Sequence, residues 1–61
     1  EKPLAYYRLM RLKYGKWLLH NTDRSITEIA IDCGFADSSH FSRWFKDLFG
    51  HSPAEDRKSL R

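Results

Sequence analysis

The chain has 61 residues, 41% hydrophobic and 15% aromatic, which allows one small domain and excludes a disordered segment. Its single cysteine excludes an internal disulfide framework and a Cys-based zinc site, and no apolar run approaches the ~20 residues that span a bilayer. Net charge is +3 but uneven: residues 1–20 carry five basic and one acidic side chain, residues 21–61 six basic and seven acidic. Charge alone is therefore weak evidence for a nucleic-acid partner, and the arrangement of residues has to carry the argument.

The chain reads as four helices and no strand. The first is predicted from Pro3 to His20, with Pro3 suited to a first helical turn. Leu4, Tyr7, Tyr14 and Leu18 fall on one stripe, flanked by Leu12 and Leu19. Arg11 lies within that stripe and is expected to find a carboxylate, with Glu28 or Asp32 as candidates. Tyr6, Met10 and Trp17 lie on nearly the opposite side. A helix apolar on two faces is usually buried on both, and the rest of the chain can cover only one. A missing partner is expected, a preceding domain of the same polypeptide; the alternative is scattered surface aromatics. The start at Glu1, without Met, agrees with a piece of a longer chain.

Asn21-Thr22-Asp23-Arg24 is the stop. The second helix is predicted from Ile26 to Cys33, opened by a capping box of Ser25 and Glu28 and closed by Gly34 with Phe35 after it, as a Schellman stop requires. Ile26, Ile29, Ala30 and Cys33 form its apolar side. The third helix is predicted from Ser38 to Phe49, capped by Asp37 or Ser38, with Phe41, Trp44, Phe45, Leu48 and Phe49 as its stripe and Gly50 as its end. Ser52-Pro53-Ala54-Glu55 starts a short fourth helix that frays after Leu60.

Only Gly34 to Asp37 separate the second helix from the third, the short glycine-containing turn of a helix-turn-helix. On the third helix, Ser39, Arg43 and Lys46 point away from Phe41 and Phe45, and His40, Ser42 and Asp47 flank them. Arg can grip guanine O6 and N7, and Ser or His can reach base edges or phosphates. Lys46, and Ser25 with Thr27 at the start of the second helix, are candidate phosphate contacts. The competing reading of such a face is a plain solvated surface.

These residues also resemble a known family. Ser25-Ile26-Thr27-Glu28-Ile29-Ala30, Cys33-Gly34-Phe35, Ser39 through Lys46, Phe49-Gly50 and Ser52-Pro53 look like the C-terminal signature of AraC/XylS-type transcription regulators. Upstream, Pro3, Tyr6 or Tyr7, Arg11-Leu12 and Leu18-Leu19 are similar to that family's linker helix. The resemblance implies an all-α helix-turn-helix fold, a homeodomain-like three-helix unit preceded by a long linker helix. Residues 1–20 would be the linker from a missing first helix-turn-helix subdomain, and 21–61 the second subdomain. Carried over by position, the base-contacting residues are Ser38, Ser39, His40, Ser42 and Arg43. The Cys-Gly-Phe and Ser-His-Phe-Ser-Arg wording is similar to a subgroup with an amidase-like N-terminal domain. Two positions depart from the pattern. Asp56 replaces an aromatic, so the last helix is expected to pack less tightly, and Gly15 replaces a small helix former, at about 0.5–1 kcal/mol.

The expected function is sequence-specific double-stranded DNA binding by a cytoplasmic bacterial regulator, with residues 38–49 in the major groove. RNA polymerase and an N-terminal effector domain of the same chain are the further expected partners, and no membrane is involved. The alternative is a protein-interaction module working through an acidic patch of Asp23, Asp32 and Asp47 or the face bearing Met10 and Trp17; a bare structural piece of a larger helical protein is a third reading. No catalytic group, metal site or cofactor is expected. His20, His40 and His51 match no zinc spacing, and Cys33 reads as an inert core residue.

Overall fold

The computed structural model describes residues 4–59. They form α1 (Leu4–Asn21), α2 (Ile26–Asp32), α3 (Ser38–Phe49) and α4 (Pro53–Lys58), with no strand among the described residues. Pro3 and Leu60, read as a helix start and a fraying end, lie outside them. No described helix is long and apolar enough to cross a membrane.

Local chemistry accounts for the boundaries. Thr22 Oγ1 and Asn21 Nδ2 donate to the carbonyls of Leu18 and Trp17, ending α1 one residue later than expected. At α2 the capping box is complete: Ser25 Oγ accepts from the Glu28 N–H, and Glu28 Oε1 accepts from the Ser25 N–H. Its end is the Schellman arrangement, with Phe35 N–H donating to Ala30 O and Gly34 N–H to Ile31 O at 3.0 Å each. Gly34 takes φ +88°, which a side chain would strain. Cys33 is therefore the cap, not the last turn, of α2. Asp37 caps α3, and Ser52 opens α4 with a second capping box and Pro53 in the first turn.

Leu12, Leu18 and Leu19 of α1, Ile29 and Ala30 of α2, Cys33 after it, and Phe41 and Phe45 of α3 make one core. Ile26, Phe35, Trp44 and Phe49 pack at its margin. Because α1 supplies three of the buried side chains, it belongs to the same folding unit as the segment that follows.

Four expectations need correction. First, the buried stripe of α1 is Leu12, Gly15, Leu18 and Leu19; Leu4, Tyr7 and Tyr14 are exposed, Leu4 by 81%. The stripe is rotated because Gly15 is the crossing point. A methyl there would stand 2.6 Å from Phe41 Cε1, so the absent side chain is what lets α3 approach. Second, Tyr7 and Tyr14 join Tyr6, Met10 and Trp17 in one exposed band, with Tyr14 and Trp17 stacked at 6.5 Å. Third, Arg11 is exposed and forms no ion pair among the described residues. Glu28 is held by its capping box, and Asp32 pairs with Arg24 instead. Fourth, Asp56 tightens α4 where looser packing was expected. It is 4% exposed and accepts from His20 Nε2 and His51 Nε2, one on each carboxylate oxygen, both at 2.6 Å, with Lys16 Nζ 3.6 Å away. Beside it, Arg57 donates to the carbonyls of Leu19 and Thr22 and closes the end of α1.

Candidate nucleic-acid interface

The turn between α2 and α3 is set by the Gly34 stop and the Asp37 start, and it leaves the outer side of α3 in solvent. Phe41 and Phe45 are fully buried and fix the rotation of the helix. Opposite them Ser39, His40, Arg43, Lys46 and Asp47 are exposed, while Ser38 and Ser42 are half-buried on the flank toward the core. The candidate residues thus separate into an outward row of Ser39, His40 and Arg43 and two serines at its edge. Lys46 continues the row one turn further.

Asp37, Ser39, His40 and Arg43 line a shallow open groove at the start of α3. Asp37 was legible as a cap but not as part of this surface. Its Oδ1 accepts the His40 N–H at 2.9 Å and stands 3.3 Å from His40 Nδ1. The His40 N–H, chiefly, holds the Asp37 carboxyl below the usual carboxylate range, so it is ionised at neutral pH. The groove therefore presents an arginine, an imidazole, a serine hydroxyl and one carboxylate within a turn of helix. That mixture suits discrimination among base edges better than a uniformly basic strip would.

The second candidate cluster lies at the start of α2, where Ser25 and Thr27 are exposed. Ser25 N–H is already used by Glu28, and Ser25 Oγ by the Glu28 N–H. What remains for an anion are the Ser25 and Thr27 hydroxyl hydrogens and the N–H groups of Ile26 and Thr27, which have no carbonyl partner in the first turn. Glu28 carries its charge there, its carboxyl lowered by the Ser25 N–H first and the Ser25 hydroxyl second. An anion at this end would be held by main-chain donors more than by charge.

Elsewhere the chemistry is structural. Among the described residues no group of His, Cys, Asp and Glu is arranged to hold a metal ion. The Cys33 thiol is buried, and burial pushes it up, away from the reactive thiolate. Asp32, counted with Asp23 and Asp47 as an acidic patch, is tied to Arg24. Arg8 spreads its guanidinium 3.8 Å over the Trp44 ring, bracing α1 against the back of α3. Arg57, Asp56 and Gly15, which position α1 and α4, were not read as structural contacts from sequence; their partners are many residues away in the chain.

A family model described as a helix-turn-helix domain matches residues 1–59. The HTH-type transcriptional activator RhaS of Escherichia fergusonii is 48% identical over 56 residues, covering 92% of this chain and 20% of the relative. The HTH-type transcriptional regulator ArgR of Pseudomonas aeruginosa is 39% identical over 59 residues, covering 97% of this chain and 18% of the relative. Among solved structures, a Chromobacterium violaceum transcriptional regulator described as AraC-type DNA-binding superposes with a TM-score of 0.90 at 36% identity, over 95% of this chain and 52% of that one. The chain thus spans about a fifth of the length of these curated relatives and about half of the solved one.

Proposed function

The chain belongs to the AraC-type helix-turn-helix family, and we propose that it binds double-stranded DNA sequence-specifically by laying α3 in the major groove. The observation that carries this reading is the outward row Ser39, His40, Arg43 and Lys46, held in register by Phe41 and Phe45 beneath it. Arg43 takes the base contact with most energy, gripping a guanine edge with two parallel N–H groups. Ser39 and His40 read neighbouring positions. Ser38 and Ser42, at the edge of the row, approach the duplex where the backbone comes closest. Lys46 and the start of α2, at Ser25 and Thr27, hold phosphates and fix the register.

The division of the chain follows the same reading. Residues 1–20 are the linker helix arriving from another helix-turn-helix subdomain, and 21–61 are the second subdomain. The band of Tyr6, Tyr7, Met10, Tyr14 and Trp17 supports a covering partner on α1, which we assign to a preceding domain of the same polypeptide. In a complete regulator, working in the cytoplasm, an N-terminal effector domain would control this unit. Contact with RNA polymerase would come from the surfaces that α3 leaves free. The role is that of a binding module, not an enzyme.

Salt tests the proposal. Fluorescence anisotropy with a labelled duplex should show log K falling linearly with log salt, because each neutralised phosphate releases counterions. Lys46→Ala should weaken binding to all duplexes alike and lower that slope by about 1. Affinity indifferent to salt would reject groove binding and favour an apolar docking function for the α1 band.

A further inference from the structure

We propose that Asp37 is a positioning residue that decides which hydrogen-bonding edge His40 offers to DNA, so that the base preferred at one position of the site changes with pH. The inference rests on the reading of α3 as the helix in the groove and adds a rule for what one of its side chains reads.

The geometry is specific to the start of α3. Asp37 Oδ1 meets both the His40 main-chain N–H, at 2.9 Å, and the His40 ring at Nδ1, at 3.3 Å. The carboxylate that caps the helix therefore also faces one nitrogen of the imidazole. Beside a carboxylate a ring nitrogen keeps its proton, because an N–H toward the oxygen attracts where a lone pair would repel. In the neutral ring the proton then sits on Nδ1, and Nε2 is an acceptor. When the ring takes a second proton, Nε2 becomes a donor. The two states seek opposite partners in the major groove. An acceptor pairs with adenine N6 or cytosine N4, and a donor with guanine N7 and O6, thymine O4 or adenine N7, so adenine serves both states and cytosine against guanine or thymine separates them.

Among the described residues no other side chain pairs with the His40 ring. The His40 side chain is 60% exposed. The charged groups lining its groove are Asp37 and Arg43, and no side chain of α1, α2 or α4 takes part in the lining.

The test is selection from a randomised duplex library at about pH 5.5 and pH 8, bracketing the imidazole range, with the parent chain, Asp37→Ser and His40→Gln. Ser keeps a capping hydroxyl but removes the carboxylate, and Gln offers a donor and an acceptor at any pH. The parent should move from cytosine, which offers only a donor, at high pH to guanine or thymine, which offer only acceptors, at low pH at one position, with a change of about tenfold in relative preference, the value of one good hydrogen bond. His40→Gln should show no movement. Asp37→Ser, with its tautomer released, should already accept the guanine or thymine edge at high pH and move less. Circular dichroism at both pH values confirms that each variant is folded. A parent preference identical at the two pH values, with salt-sensitive binding intact, overturns the switch but leaves groove reading standing, as does a shift of parental size in Asp37→Ser. No salt-sensitive binding at either pH overturns both.

Discussion

At the scale of single residues, three side chains have roles that are separable by experiment. Arg43 stands alone in the centre of the exposed row, so Arg43→Ala should cost about 1–3 kcal/mol on a preferred site and relax choice at one base pair. Competition with singly substituted duplexes checks this, and an unchanged pattern of preference would remove Arg43 from base reading. Gly15 shows the opposite kind of role. An alanine there would gain about 0.5–1 kcal/mol of helix propensity. It would also drive a methyl to 2.6 Å from the fully buried Phe41 ring. Overpacking of that kind costs about 1–3 kcal/mol, so Gly15→Ala should lower stability in a denaturant titration. Asp56 is the third. Burial pushes its carboxyl up, but the hydrogen bonds from His51 and His20 and the Lys16 ammonium outweigh this, and the net shift is down. A carboxyl lowered on folding contributes stability that is fully present above its unfolded value of about 3.9 and disappears as pH falls through the folded value. Asp56→Asn should therefore cost about 1–3 kcal/mol at neutral pH, with the deficit shrinking below about pH 4, as followed by thermal melts across pH.

At the scale of elements, the helix starts are the best-encoded feature. Ser25 and Ser52 each accept the N–H of the residue three further on, at 3.1 and 3.2 Å, and each is answered by a glutamate. Both α2 and α4 are too short to persist without such caps. Ser25→Ala and Ser52→Ala should each cost about 1 kcal/mol. The two losses should add, since the caps share no partner. A single loss near zero would show that the helix concerned is held by packing alone, and markedly sub-additive losses that the two caps are coupled. The caps, the Gly34 turn and the outward side of α3 were legible in the sequence because their signals lie within a few residues of one another. The α1 register was not. Tyr7 and Tyr14, in line with Leu4 and Leu18, suggested a stripe, whereas the helix turns Gly15 inward, and a glycine leaves no mark in an apolar pattern. Arg11 finds no carboxylate for a different reason: the ones the sequence offers it are used by Ser25 and Arg24. The Asp56 cluster joins residues 36 apart and depends on how α4 returns against α1, which no local pattern encodes. The candidate reading face was thus more legible than the joints that aim it.

At the scale of the whole molecule, α1 is both a wall of the core and a projecting aromatic surface. Its inner side holds Leu12, Leu18 and Leu19, and its outer side exposes Trp17 by 56% beside Tyr14. Asp56, Arg57 and Lys16 tie its end to α4 and the loop before it, so α1 and the helix-turn-helix are packed as one unit. On the proposed reading, that packing would let a neighbouring unit on α1 fix where α3 enters the duplex. On the same reading, the single unit should bind weakly by itself, because it lacks the effective concentration that a tethered second unit would supply.

The most direct test is an NMR titration of the isotopically labelled chain with a generic duplex at low salt. The account predicts shifts concentrated at Ser38 to Lys46 and at Ser25 to Thr27, fading as salt is raised. Shifts confined to Tyr6, Met10 and Trp17, or none at all, would contradict it and point to a protein partner on α1.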